Sequence, residues 1–354
     1  MSAPARVLLV GNFLSKTRSI RFVCEDLAEH LSASGREVLT TSSRDSRPVR
    51  LADMLATTWA RRRSYDVAQV DVYSGSAFFW AEAVCRLLRS LGKPHILTLH
   101  GGGLPKFAER SPERVRKLLG GADAVTSPSS FLAEKMSAFR QGIRIIPNPI
   151  EISRYPFRER SAARPELVWL RAFHGSYNAP LAPRMLRLLS EKFPAATLTM
   201  IGPDKGDGSL ELTRKTAEQE CVLDRVRFAG GIAKIEIPEA LSRADVFINT
   251  TNVDNTPVSV VEAMACGLCV VTTSVGGLPH LVTDGENGLL VPPDDPAAMA
   301  ASVARVLEDP PLAARLSRRG RENAESRDWA KVLPEWDALF ESTVSRSGRS
   351  GKAA

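Results

Sequence analysis

Short apolar runs alternate with longer stretches of helical periodicity along the whole chain. Val7 to Val10, Val67 to Tyr73, His95 to Leu99, Ala124 to Ser127 and Ile143 to Ile146 read as strands. Helix-length segments separate them, the first from Ile20 to Leu31. The pattern pauses over residues 151–165, where Pro156, Pro165 and many charges suggest a linker. It restarts with Leu167 to Leu170, Thr197 to Ile201, Val226 to Phe228, Val246 to Asn249 and Cys269 to Thr272. Helical patterns over 296–308, 310–325 and 328–345 close the chain, and the polar, basic stretch 346–354 reads as a disordered tail. Such alternation predicts parallel sheets wrapped by helices, an α/β fold. A length of 354 residues exceeds what one hydrophobic core usually holds, so two Rossmann-like, doubly wound domains are expected, over 1–155 and 165–327, facing an interdomain cleft.

Residues 248–274 carry the most chemistry. Asp254 and Glu262 flank an expected helix start, with Thr256 suited to the N-cap and Pro257 to the first helical position. Val258, Val261 and Met264 give that helix a buried side, and Gly267 ends it before the apolar run Leu268 to Val271. A helix N-terminus attracts phosphate through its free N–H groups and partial positive charge. Carboxylates do not bind phosphate; they suit hydroxyl groups beside it, as on a sugar or ribose. The combination points to a nucleotide-sugar site.

Ligands of open α/β sheets bind beyond the carboxyl ends of strands, and Gly11, His100, Arg171 and Asp254 all follow expected strands. Gly11-Asn12-Phe13 is not a Gly-x-Gly-x-x-Gly turn, which leaves a dinucleotide cofactor without support, although one glycine still lets the backbone approach a ligand. His100-Gly101-Gly102-Gly103 opens space beside an imidazole at a strand end. Arg171 has a planar guanidinium that can grip two phosphate oxygens.

The spacing Asp254-x7-Glu262, followed by Ala-Met-Ala-Cys-Gly and a buried strand, resembles the Glu-x7-Glu segment of family-4 retaining glycosyltransferases of the GT-B fold. Val226 to Gly230, Gly276-Gly277-Leu278-Pro279, Asp284 to Pro293 and Ile145 to Ile150 match that family in the expected order, most densely between residues 225 and 293. The resemblance implies an acceptor-binding N-terminal domain, a nucleotide-sugar-binding C-terminal domain and a closing helix that returns to the first domain. It implies retaining transfer of a sugar from a nucleoside diphosphate sugar to an acceptor hydroxyl of a glycan, a lipid-linked intermediate or a small molecule. Departure is from the front face, with no metal and no cofactor. By resemblance His100 positions the donor sugar and Arg171 binds the pyrophosphate. Asp254 meets the sugar hydroxyls and Glu262 the ribose, and the backbone around Thr256, Pro257 and Val258 completes the donor contacts. Gly11, Asn12, Gly101 and Gly102 line the donor side, with Gly230 and Ile232 near the base.

Two positions depart from the family pattern: Asp254 replaces the usual Glu, and Ser176 stands where a phosphate-binding Lys is usual. Lys205 is an alternative cation, though a solvated loop lysine is its ordinary reading. These departures keep open a non-catalytic nucleotide-sugar-binding protein, and fold alone leaves an epimerase or phosphorylase open.

Composition adds boundaries. No apolar run approaches the roughly 20 residues of a membrane span, and Met1 leads into a strand without a secretory pattern, so a cytoplasmic protein is expected. Five scattered cysteines do not make a disulfide framework, and Cys266-Gly-Leu-Cys269 reads as core rather than a redox pair. A net charge of +7 fits an anionic partner, and no nucleic-acid module is present. Arg44, Arg47, Arg50 and Arg61 to Arg63 flank an amphipathic stretch with Leu51, Met54, Leu55 and Trp59. It reads equally as a core-facing helix and as a helix lying on an acidic membrane surface, which would place the protein peripherally on the cytoplasmic face.

Overall fold

The computed structural model describes residues 4–15 and 22–350, without side chains for 348–350, and divides the chain into two compact units. Unit 1 comprises Met1–Pro149 and Trp329–Ala354; unit 2 comprises Ile150–Asp328. Each is built on one six-stranded sheet, parallel throughout.

In unit 1, β1 (Val7–Val10), β2 (Val38–Thr41), β3 (Val67–Val72), β4 (His95–Leu99), β5 (Ala124–Ser127) and β6 (Arg144–Ile145) lie in the order β2-β1-β3-β4-β5-β6. β1, β3 and β4 are buried along their length, which explains their near-continuous apolar runs. The helix Trp329–Ser350 packs Trp336 and Phe340 into this unit with Leu9, Leu31 and Ile96. It therefore continues past residue 345 through the first five residues of the expected tail; residues 351–354 lie outside the described part, as do the first two of the helical stretch expected from Ile20. Its apolar positions recur to Val344, and Ser345 to Ser350 contain no proline to break a helix that has already formed, although Gly348 weakens it.

In unit 2, β7 (Glu166–Leu170), β8 (Thr197–Ile201), β9 (Val226–Gly230), β10 (Val246–Asn249), β11 (Cys269–Thr273) and β12 (Leu289–Val291) follow the order β12-β11-β10-β7-β8-β9. Apolar clusters cover both faces, one on Trp169, Ile248 and Val271, the other on Phe247, Val260 and Val270. Residues 151–165 are no free linker, because Tyr155 and Arg160 are buried in this unit. Arg158, Arg160 and Arg164 all pair with the buried Asp245 just before β10. Burial alone would raise the Asp245 carboxyl, but donors from Arg164 and Arg158 outweigh it and hold its pKa at about 2.

All five cysteines are free. Cys266 and Cys269 are buried, and desolvation pushes both thiols up to about 12, as core residues rather than reactive thiolates. Among the described residues no helix is long and apolar enough to cross a membrane.

Candidate functional site

Strand order fixes where each sheet opens. In unit 2 the chain leaves β7 toward β8 on one side and later returns to place β10 on the other. The loops after β7 and β10 therefore diverge, and ligands of such sheets bind there. Arg171 is the first residue after β7, and Asp254 lies in the loop after β10.

The structure brings the two together: the Arg171 guanidinium pairs with the Asp254 carboxylate, both side chains mostly buried. The guanidinium also lies over the Tyr177 ring, 4.2 Å from its centroid. Burial lowers the Arg171 pKa, while Tyr177 and the nearby Glu262 favour the charge. Two glycines let these loops approach. A Cβ at Gly202 would lie 1.7 Å from the Arg171 carbonyl oxygen, and one at Gly276 would lie 1.9 Å from that of Asp254.

The helix after Asp254 spans Val258–Ala265, and its N-cap is Pro257 rather than Thr256. Proline fixes φ but leaves ψ free, and at ψ 118° Pro257 is extended. Thr256 consequently caps nothing, and its buried hydroxyl has no hydrogen-bond partner among the described residues. Ser259 to Ala265 are all buried, so the helix is core on every side rather than along one stripe.

Glu262 sits in that buried helix with 5% of its surface exposed. Its Oε1 accepts a 2.7 Å hydrogen bond from the Tyr155 hydroxyl. Burial, then the charge of Glu262, pushes the Tyr155 phenol well up, so it remains a donor. Sequence reasoning missed Tyr155; the available signal was the aromatic pair Tyr155 and Phe157 inside a charged stretch. Gly230, with φ +70°, accepts from the Gly202 N–H at 2.8 Å, tying the loop after β9 to the one after β8. Ile232 and Val258 pack against the same apolar cluster. Lys205 is exposed, in a loop held by its backbone N–H to the Phe173 carbonyl.

In unit 1 the equivalent switch lies between β1 and β3. Asp71 in β3 holds His100, after β4, through a 2.9 Å contact from Oδ1 to the imidazole Nε2. The imidazole stacks on Tyr73 with centroids 4.9 Å apart. Gln69 donates to both Asp71 and Thr98, and Thr126 donates to Thr98, so a polar chain runs across β3, β4 and β5. Asp71, the acidic residue of a strand whose other polar residue is Gln69, was not singled out from the sequence. It also explains Gly11, where a Cβ would meet Asp71 Oδ2 at 2.6 Å and Cys24 Sγ at 2.9 Å. The glycine thus accommodates a buried carboxylate rather than simply clearing a path for a ligand. Asn12 accepts from Arg50 at 2.9 Å. Gly101 adopts φ +81° with open space beside it, and Gly102 is half-buried.

Residues 20–154 match the model of the family described as Glycosyltransferase Family 4, and residues 161–323 that described as Glycosyl transferases group 1. Glycogen synthase of Mycobacterium tuberculosis is 31% identical over 218 residues, 59% of this chain and 51% of that protein. D-inositol 3-phosphate glycosyltransferase of Streptomyces avermitilis is 25% identical over 331 residues, 86% of this chain and 71% of that one. The chain thus spans about half the length of the first of these relatives. Sucrose-phosphate synthase from Thermosynechococcus elongatus has a similar fold, with TM-score 0.81 and 20% identity over 97% of this chain and 100% of that one. Anabaena Alr3699/HepE, solved in complex with UDP and glucose, gives TM-score 0.74 and 18% identity over 96% and 100% of the two chains. The chain thus joins two α/β units of the GT-B class, residues 161–323 belonging to the group 1 glycosyltransferases and residues 20–154 to the family-4 kind.

Proposed function

We propose that the chain is a retaining glycosyltransferase that moves a sugar from a nucleoside diphosphate sugar to the hydroxyl of a glycan, lipid-linked or small-molecule acceptor, without a metal ion. The observation that carries this reading is the gathering of Arg171, Asp254 and Glu262 at the strand-order switch of unit 2. A cation and a helix N-terminus suit a departing diphosphate, and the two carboxylates suit sugar and ribose hydroxyls. In the proposed reaction the bond from the sugar's anomeric carbon to the diphosphate breaks as the acceptor oxygen arrives on the same face. The acceptor proton passes to the departing phosphate oxygen. Arg171 neutralises the charge that develops there, which is the main electrostatic task. His100, held by Asp71, is the unit 1 group assigned to the transferred sugar.

A panel of UDP- and GDP-linked sugars with mixed acceptors, read by mass spectrometry, tests the activity, and NMR of the product's anomeric proton tests retention. Turnover should persist in excess chelator. Activity lost on chelation and restored by magnesium or manganese would reassign Asp254 and Glu262 to the diphosphate end. The loss of the usual lysine at Ser176 favours a second reading, a nucleotide-sugar-binding protein without turnover; donor binding with no transfer or hydrolysis across the panel would select it.

We also propose that unit 1 meets an acidic membrane surface through the helix Arg47–Ala60. Met54 is buried and Leu55 packs on the core, yet Val49 and Trp59 are 50% and 56% exposed beside exposed Arg44, Arg47, Arg61 and Arg63. Arg50 leaves this group, because it is buried against Asn12 and the Arg44 and Asp45 carbonyls. Sedimentation with phosphatidylglycerol vesicles but not with phosphatidylcholine vesicles is expected. Equal behaviour with both would remove the membrane role.

A further inference from the structure

We infer that Tyr177 is a positioning residue for Arg171 and compensates for the missing lysine at Ser176; this rests on the reading of Arg171 as the diphosphate-binding cation. An arginine's flexible stem loses rotamer entropy when its guanidinium grips a ligand, and a contact that already holds the guanidinium spares part of that cost. Here the guanidinium lies over the Tyr177 ring at 4.2 Å, Asp254 takes one edge, and Nε is buried without a hydrogen-bond partner among the described residues.

Tyr177 is itself held from the core. Its N–H donates to the His174 carbonyl at 2.9 Å, and its own carbonyl accepts from the Thr250 hydroxyl at 2.7 Å. That hydroxyl accepts in turn from the indole N–H of Trp169, a fully buried residue of β7. The Ser176 carbonyl takes the Asn252 N–H at 2.9 Å and the Thr251 hydroxyl at 3.2 Å. Asn178 ends the turn in the left-handed region, at φ +45°, and donates to Asp294 at 3.2 Å. The turn that would carry a second cation instead carries an aromatic face, stitched to the two strands that frame the switch point. Among the described residues Arg171 is the cation this turn presents, so binding there depends on its orientation, and the aromatic face supplies it.

Calorimetry of the full chain with UDP, GDP and the two free nucleosides tests this. Tyr177→Leu should weaken the preferred diphosphate about 3- to 30-fold, leave nucleoside affinity unchanged, and keep the melting temperature near that of the unchanged protein. Tyr177→Phe, which keeps the ring but loses the hydroxyl's hydrogen bond with the guanidinium, should fall between the unchanged protein and the leucine variant. In an Arg171→Lys background Tyr177→Leu should add little, because the group it orients is gone. Tyr177→Gln gives the same contrast should the leucine variant fail to fold. Undiminished diphosphate affinity without the ring, an equal loss for nucleoside and diphosphate, or a full effect in the Arg171→Lys background would each overturn the inference. Failure of the unchanged protein to bind either diphosphate would overturn the proposed function as well, and so tells the two apart.

Discussion

Unit 1 orders its strands β2-β1-β3-β4-β5-β6 and unit 2 β12-β11-β10-β7-β8-β9, so the loops diverge at β1 and β3 in one and at β7 and β10 in the other. The two switch points are furnished by opposite means. In unit 1 a carboxylate, an amide and hydroxyls share hydrogen bonds beneath His100, and close packing at Gly11 keeps Asp71 in place. In unit 2 the switch point holds a direct ion pair, Asp254 with Arg171 beyond β10, while at the opposite, amino-terminal end of β10 Asp245 pairs with three arginines. One sheet stakes its site on shape and the other on ion pairs, so they should fail under different perturbations.

The largest expected effect is at Glu262. If its carboxylate binds two ribose hydroxyls, Glu262→Ala removes charged hydrogen bonds contributing roughly 1.5–3 kcal/mol each, and donor affinity should fall about a hundredfold or more. Unchanged nucleotide binding by calorimetry in the folded variant would take Glu262 out of the site and leave it only a partner for Tyr155. Circular dichroism separates that outcome from unfolding.

Next in size is the buried ion cluster of unit 2. Asp245→Asn leaves three arginines short of their charge partner and should cost roughly 3–5 kcal/mol in urea unfolding. The sign of its pH dependence follows from the depressed pKa. The carboxyl titrates at about 2 in the folded protein and near 3.9 when unfolded, roughly the ordinary aspartate value. Its stabilisation is therefore complete above about pH 4 and is lost as pH falls toward 2. The asparagine variant should show a flatter acid limb over that interval. An equally steep limb would place the acid sensitivity of unit 2 elsewhere.

The smallest of the three belongs to unit 1. Gly11→Ala puts a Cβ where Asp71 Oδ2 and Cys24 Sγ now lie, and such overpacking typically costs about 1–3 kcal/mol. Unit 1 should lose that stability in urea unfolding, measured against the unchanged protein. A neutral substitution would mean that Asp71 can move aside, and that shape does not guard this switch point as tightly as the ion pairs guard the other.

The inner strands were the most legible. β1, β4, β5, β8 and β10 stand at the boundaries their apolar runs predict, because most side chains of these inner strands meet a covering layer. The strands not foreseen, β2 and β12, are both sheet edges, β12 being mostly buried but only three residues long, whereas the exposed edge β6 was foreseen. An edge strand is covered on fewer sides, and β2 shows it: three of its four residues are partly or fully exposed, so no continuous apolar run announces it.

The sequence by itself determined the alternating α/β plan, two sheets of parallel strands, and the helix-flanking carboxylates Asp254 and Glu262, since periodicity and short-range spacing write those directly. It also showed that Lys was missing at Ser176, but not what had taken its place. Tertiary structure alone decided that Tyr155 reaches Glu262 across 107 positions of chain, that Asp71 reaches His100 across 29, and that the Tyr177 ring comes to lie against Arg171. Strand order does the deciding: it selects which loops diverge and which converge, and no local pattern of residues encodes that choice. Hydrogen bonds and ion pairs between distant positions exist only once the sheets have closed and removed those groups from water.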